Sequence, residues 1–250
     1  MIDIFMKSPL PNTLAVIVLI ALIITWFTSI VSSMRDVPIQ TEKGWYAKLL
    51  PTFSILGIPA VLDLLQTKGV TFMFAGIVFI VLILNFVVPI LKIYGKSSHF
   101  LVVDWYKWSA LISTIGGLAV AGYLTFVEAT NAPIACGPSS GCIAVQNSRY
   151  AVLFGFLPVG ILGLAGYVGI LLGWLALQFG SNTIKRMASL AIWAMCIFGV
   201  LFEVYLTFLE PFVIGATCMW CISSAMLMII LLLVSTPAAQ QAFVINDDES

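Results

Sequence analysis

Residues 205–235 read Tyr205-Leu-Thr-Phe-Leu-Glu210-Pro-Phe-Val-Ile-Gly-Ala-Thr-Cys218-Met-Trp-Cys221-Ile-Ser-Ser-Ala-Met-Leu-Met-Ile-Ile-Leu-Leu-Leu-Val-Ser235. The stretch from Phe212 to Ser235 has no charge and is long enough to cross a bilayer, which takes about 20 apolar residues. It carries two cysteines at i and i+3, a spacing that puts both thiols on one helical face within disulfide reach. The lead-in is echoed upstream: Tyr123-Leu-Thr-Phe-Val-Glu128 stands eight residues before Cys136, as Glu210 stands eight before Cys218. Cys136-Gly-Pro-Ser-Ser-Gly-Cys142 is a second dithiol, in a polar loop. One dithiol in a loop and another in a membrane helix point to electrons passing between water and lipid.

Composition agrees with a membrane setting. Of 250 residues, 61% are hydrophobic and 9% charged, against about half and a quarter in soluble domains. The net charge of zero gives no support for nucleic-acid binding. A single histidine, His99, excludes a His-rich metal site. Five cysteines, two close pairs and Cys196, read as disulfide chemistry in an oxidising compartment or as a metal site.

Six stretches reach spanning length: Leu14 to Met34, Thr71 to Leu91, Trp108 to Val127, Tyr150 to Gly180, Met187 to Leu209 and Phe212 to Ser235. The expected fold is all-α and integral to the membrane, a four-helix unit preceded by two additional helices, with a third possible. That third is Leu49 to Leu65, short, broken by Pro51, Gly57 and Pro59, and carrying Asp63. As a span it would place Arg35, Lys43 and Lys48 inside, as charge prefers; as an interfacial or re-entrant segment it satisfies its length. Six spans are expected. The first is longer than a signal-peptide core and lacks a small-x-small cleavage site, so it reads as a retained anchor. The chain divides into an N-terminal membrane module of unassigned role (1–100), a catalytic four-helix unit (101–236) and a polar tail (237–250).

Positive residues decide sidedness. Lys92, Lys96 and Lys107 flank one junction, and Lys185 and Arg186 sit in the next loop on that side. Both loops are expected in the cytoplasm, with Trp105, Tyr106 and Trp108 as an aromatic belt. The Cys136/Cys142 loop carries only Arg149, so both dithiols are expected at the outer face, where disulfides persist.

Cys218 is expected at the N-terminal end of the last helix, where the helix dipole favours a thiolate and lowers its pKa. Zinc also uses C-x-x-C, and Cys136, Cys142, Cys218 and Cys221 number the four ligands it needs. A structural zinc site normally folds a small polar domain, whereas lipid folds this unit, so redox chemistry is favoured and no metal is expected.

Residues Trp105 to Ser235 resemble the vitamin K epoxide reductase family in its bacterial branch. The matching elements are Cys136-x5-Cys142, Gln146-Asn-Ser148-Arg-Tyr-Ala151, Phe154-Gly-Phe-Leu-Pro158-Val-Gly-Ile161 and Cys218-Met-Trp-Cys221. The resemblance implies a four-helix bundle that holds a quinone, ubiquinone or menaquinone, beside its C-x-x-C. It implies that Cys136 and Cys142 accept electrons from a thioredoxin-like partner of the DsbA type, that Cys142 attacks Cys218, and that Cys221 adjoins the quinone. Each transfer would be a thiolate attack through a mixed disulfide. Ser148 resembles the family's active-site serine and is expected near the quinone or the shuttle thiols; read without the family it is a helix N-cap. Many bacterial relatives carry a fused thioredoxin-like domain, and the chain stops about 15 residues after its last helix, so a separate partner protein is expected. Animal members read Thr-Tyr-Ala shortly after their C-x-x-C, where this chain has Ser224-Ala-Met226. That departure argues for plain quinone reduction over epoxide reduction.

Other residues carry weaker signals. Glu203 and Glu210 are seven apart, roughly on one helical face, and intramembrane carboxyls are functional candidates by default, here as acceptors of thiol protons. Glu128 and Glu210 also read as interfacial residues at helix ends. Arg149 reads as a partner for a thiolate or quinone oxygen, or as an interface anchor. Cys196 reads as a small core residue and His99 as a solvated loop residue. Glycines 116, 117, 122, 160, 163 and 166 are expected to permit close helix packing. The expected function is an inner-membrane oxidoreductase that reoxidises an extracytoplasmic dithiol protein for disulfide-bond formation. The rivals are an outward electron transporter and a scaffold with structural disulfides.

Overall fold

The computed structural model describes residues 2–34, 45–67, 70–93, 105–130, 132–138, 141–153 and 155–247. Arg35, Lys43, Lys96, His99 and Phe154 lie outside the described residues, as do the side chains of Lys48, Lys92, Trp105 and Tyr106. The architecture is almost wholly helical. In chain order come α1 (Ile2–Phe5), α2 (Pro9–Met34), α3 (Trp45–Leu64), α4 (Val70–Ile93), α5 (Trp105–Thr130) and α6 (Gly141–Gln146). A two-residue hairpin pairs β1 (Val152–Leu153) with β2 (Leu157–Pro158). Then follow α7 (Val159–Phe179), α8 (Asn182–Leu209), a π-helical turn (Glu210–Ile214) and α9 (Met219–Asp247). Among the described residues, five helices (α2, α5, α7, α8 and α9) are long and apolar enough to cross a membrane; α3 and α4 contribute shorter apolar stretches, Leu49–Leu64 and Phe72–Val87.

Helix α9 is the centre of the bundle. It packs on α2, α3, α5 and α8, and its residues from Ile222 to Val234 are buried with few interruptions. A helix apolar all round its circumference is stable in that position because no face needs water. Between α4 and α5, Asn85 Nδ2 donates to Ser113 Oγ at 3.1 Å and Asn85 Oδ1 accepts from Ser109. Between α2, α8 and α9, Trp193 Nε1 donates to Ser29 Oγ at 3.0 Å, and Ser29 bonds Thr236 at 2.7 Å. Such interhelical hydrogen bonds are the polar glue of bundles in lipid.

Three expectations change. Leu49 to Leu65 is not broken at its prolines: α3 runs through Pro51 and Pro59 as one continuous helix and packs along α4 and α9. Gly57 makes this possible, because a Cβ there would meet Leu82 at 2.8 Å and Met226 at 3.1 Å. The last helix begins at Met219 rather than Phe212, since the Glu210–Ile214 turn and the left-handed Gly215 (φ 79°) reverse the chain first. It also continues past Ser235 through Pro237 to Asp247, so most of the segment read as a polar tail is helical. Glycines 116, 117, 160 and 163 face neighbouring helices or loops as expected, whereas 122 and 166 face open space.

The helices before α5 reach the cysteine end of the bundle. Asn12 donates to Phe5 C=O at 2.7 Å and Gly215 C=O at 3.5 Å, and accepts from the Thr217 hydroxyl at 2.9 Å. Asp63, at the end of α3, lies against the α-carbon of Gly137 in the cysteine loop. At the opposite end, Lys107, Lys185 and Arg186 line a common cleft.

Candidate active site

All five cysteines are free thiols, with Cys142 and Cys218 buried and Cys136 and Cys221 half-buried. Four of them form a row. The Cys142 sulfur contacts the thiols of both Cys136 and Cys218, and Cys218 contacts Cys221. Cys196 stands apart, fully buried in the middle of α8.

Local structure explains how a loop thiol reaches a helix thiol. Cys142 lies in the first turn of α6, and the preceding Gly141 packs so closely on the Thr217 carbonyl that any Cβ would overlap it. That approach delivers Cys142 to the residue next in sequence, Cys218. The near end of the loop is pinned at Ala135, whose N–H donates to Tyr123 Oη at 2.9 Å and whose C=O accepts from Trp220 Nε1 at 3.0 Å. The Tyr123 and Trp220 rings lie 4.6 Å apart. Tyr123 belongs to the repeated Tyr-Leu-Thr-Phe motif and Trp220 stands between the paired cysteines, so their positions in sequence carried a signal that composition alone does not convert into a role.

The charge distribution among the thiols differs from the dipole argument. Cys142 holds its thiolate, with its pKa pushed down to about 4, first by the Cys136 thiol and then by that of Cys218, both hydrogen-bonding to its sulfur. Cys136 is raised by the same contact, as the partner that keeps its proton. Burial pushes the Cys218 thiol up, because the cost of desolvating a charged sulfur outweighs what the helix dipole returns.

Beyond Cys221 lies a cavity of about 100 Å³ lined by α5, α7, α8 and α9, with Glu128, Ser148, Glu203, Glu210, Cys221 and Ser224 among its walls. It adjoins an apolar cleft of about 500 Å³ between α7 and α8, the two sharing Gly163, Phe202, Glu203 and Ser224. Three buried oxygens at this cavity lack a hydrogen-bond partner: Ser148 Oγ, Glu128 Oε2 and Glu203 Oε2. Ser148 follows α6 in a turn, its N–H bonded to Val145 C=O at 3.1 Å; it comes after that helix rather than before it, so it is not an N-cap. Arg149 is exposed and bonds the Tyr150 hydroxyl at 2.7 Å, so it is a surface group and not a partner to the thiols.

Glu210 stands at the end of α8 and is buried (2% exposed). Its Oε2 accepts the Cys218 N–H at 3.2 Å, and its carboxyl contacts the Cys221 thiol. The ligating atoms of Glu210, Cys218 and Cys221 all lie within 4.8 Å of one another, the one such group among the described residues. Three such donors are compatible with a soft divalent ion, and equally with two thiols that exchange electrons beside a proton-accepting carboxyl.

Fold and site together define a multi-pass membrane protein with two apposed dithiols at one end of its helices. The model of the Vitamin K epoxide reductase family matches residues 107–236, just over half of the chain, and the protein belongs to that family. It is accordingly a membrane thiol–disulfide oxidoreductase. No solved structure matches the chain.

Proposed function

We infer that the protein carries electrons from an extracytoplasmic, thioredoxin-like dithiol protein to a membrane quinone, and so sustains disulfide-bond formation at the outer face of a bacterial inner membrane. The observation that carries this reading is the position of the Cys142 sulfur, in contact with a loop thiol on one side and a C-x-x-C thiol on the other. A structural disulfide needs one partner; a relay needs two. The partner's dithiol reduces the Cys136–Cys142 disulfide; Cys142 attacks Cys218 within a Cys218–Cys221 disulfide and releases Cys221 towards the cavity; Cys136 then attacks Cys142, which re-forms the loop disulfide and frees Cys218.

The cavity walls fit a quinone. Its ring carbonyls accept hydrogen bonds, and Ser148 offers an unpartnered hydroxyl there. The apolar cleft between α7 and α8, bounded by Phe198 and Met195, suits an isoprenoid tail arriving from lipid. Ser224, at the departure from the animal tripeptide, donates to Glu203 Oε1 at 2.8 Å and leaves no tyrosine hydroxyl at the next position. That supports quinone reduction over epoxide reduction. Lys107, Lys185 and Arg186 at the other end of the helices support a cytoplasmic location for that end.

The test is quinone absorbance in detergent-solubilised protein given a reduced thioredoxin-like donor, with ubiquinone and menaquinone analogues. Bleaching by wild type that disappears in Cys142→Ser and Cys218→Ser establishes the relay and its acceptor. Wild type inert towards both quinones overturns the reading.

A further inference from the structure

Reduction of a quinone by two thiols moves two protons as well as two electrons, and those protons need groups that accept and release them. Two carboxyls stand where those protons must go. Glu210 touches the Cys221 thiol and accepts the Cys218 N–H, with both sulfurs within 4.8 Å of a carboxyl oxygen. Glu203 is also buried (8% exposed) and lines the same cavity as Cys221 and Glu210. Its Oε1 is held by Ser224 at 2.8 Å, and Ser224 in turn bonds the Tyr167 hydroxyl at 3.2 Å. Its Oε2 has no partner. An orphan buried carboxyl oxygen on a cavity wall is costly, and a bound hydrogen-bonding ligand removes that cost.

We propose that Glu210 is the proton acceptor for the Cys218/Cys221 pair and that Glu203 delivers those protons to the oxygens of the bound acceptor. This rests on the quinone reading above. This route requires Glu210 as the carboxylate and Glu203 as the acid at the outset. The first thiol proton passes to Glu210 while Glu203 protonates one quinone oxygen; the proton on Glu210 then moves to Glu203 and restores both. The second thiol proton follows the same route to the second oxygen. The Sγ–Sγ bond of Cys218 and Cys221 forms, two electrons leave the sulfurs, and the quinone, with two electrons and two protons, becomes the hydroquinone. The π-helical turn fixes Glu210 for this task. Its carbonyl accepts both Gly215 N–H at 2.8 Å and Ala216 N–H at 3.2 Å, so the residue is anchored by main chain while its side chain stays at the thiols.

The experiment is single-turnover bleaching of quinone by fully prereduced full-length protein, comparing wild type with Glu210→Gln, Glu210→Asp and Glu203→Gln. Glutamine keeps the shape and the acceptor for the Cys218 N–H but takes no proton. Positioned acid–base groups contribute about 10²- to 10⁴-fold, so Glu210→Gln and Glu203→Gln should each lose on the order of 10²-fold. Glu210→Asp should recover part of that rate, and thiol counts should match wild type throughout. Wild-type bleaching with Glu210→Gln within twofold of it overturns this proposal alone; a wild type that does not bleach overturns the quinone reading and this one with it. Should Glu210→Gln fail to fold, redox-difference infrared spectra of wild type decide. A carboxyl C=O change on oxidation of Cys218–Cys221 supports the proposal, and its absence overturns it.

Discussion

The Cys142 sulfur lies in contact with the Cys218 thiol, joining a loop between α5 and α7 to the start of the central helix. The closeness comes from main chain: Gly141 has no side chain to hold it off the Thr217 carbonyl. The contact predicts a trapped intermediate. In a Cys136→Ser/Cys221→Ser double variant, Cys142 and Cys218 have lost their competing partners and should accumulate as a mixed disulfide. Mass spectrometry of alkylated, protease-digested protein checks this; two free thiols after mild oxidation would sink the proposed order of exchange.

The same contact sets a pH dependence. The Cys142 pKa falls from the ordinary thiol value of 9.0 to about 4, chiefly through the Cys136 thiol. A lowered pKa means the thiolate is already formed above it. With the Cys136 contact intact, the Cys142-to-Cys218 exchange should therefore hold its rate well below the ordinary thiol pKa and fade only in acid. Cys136→Ala removes the largest cause and should shift the profile towards higher pH. Quenched-flow alkylation read by mass spectrometry measures both; an ordinary thiol profile in wild type would contradict the arrangement.

Ser148 provides a sharper test of the cavity. Its hydroxyl is buried, unpartnered and caps no helix, so its removal costs the folded protein little. If it donates to the acceptor, Ser148→Ala loses one hydrogen bond of about 0.5–1.5 kcal/mol. Quinone turnover should then slow between about two- and tenfold, with all thiols still titratable. Unchanged turnover would assign Ser148 to the cavity wall alone.

Gly137 tests whether α3 supports the Cys136/Cys142 loop. A Cβ there would collide with the carbonyl and carboxylate of Asp63, and overpacking of this kind costs about 1–3 kcal/mol. Gly137→Ala should lower the thermal midpoint in detergent and slow oxidation of the Cys136/Cys142 pair. Gly122→Ala is the matched control. Nothing lies within 4 Å of its Cβ, and alanine favours the helix by up to about 1 kcal/mol, so its midpoint should hold or rise. Equal behaviour of the two variants would remove Asp63 from the loop's support.

Much of the fold was legible in the chain because lipid imposes one rule. Every backbone polar group must be satisfied within its segment, so apolar runs of sufficient length become helices. That rule reads α2, α5, α7, α8 and α9 from hydropathy and explains why the family motifs fall where helices meet loops. It misread α3, because helix-breaking by Pro51 and Pro59 is a local cost that packing against α4 and α9 overrides. It also misread the start of α9, since Pro211 does not end a helix that can continue as a π turn to Gly215.

The sequence by itself determined the membrane class, the two dithiols, their repeated lead-in and the candidate serine, all of which rest on residue type and spacing. Only tertiary structure decided which thiol holds the negative charge, that Glu210 is buried against the C-x-x-C, and that Asn12 and Asp63 brace the site. The reason is physical. Charge, burial and bracing depend on distances between groups far apart in the chain, and spacing along a sequence carries no distance across a bundle.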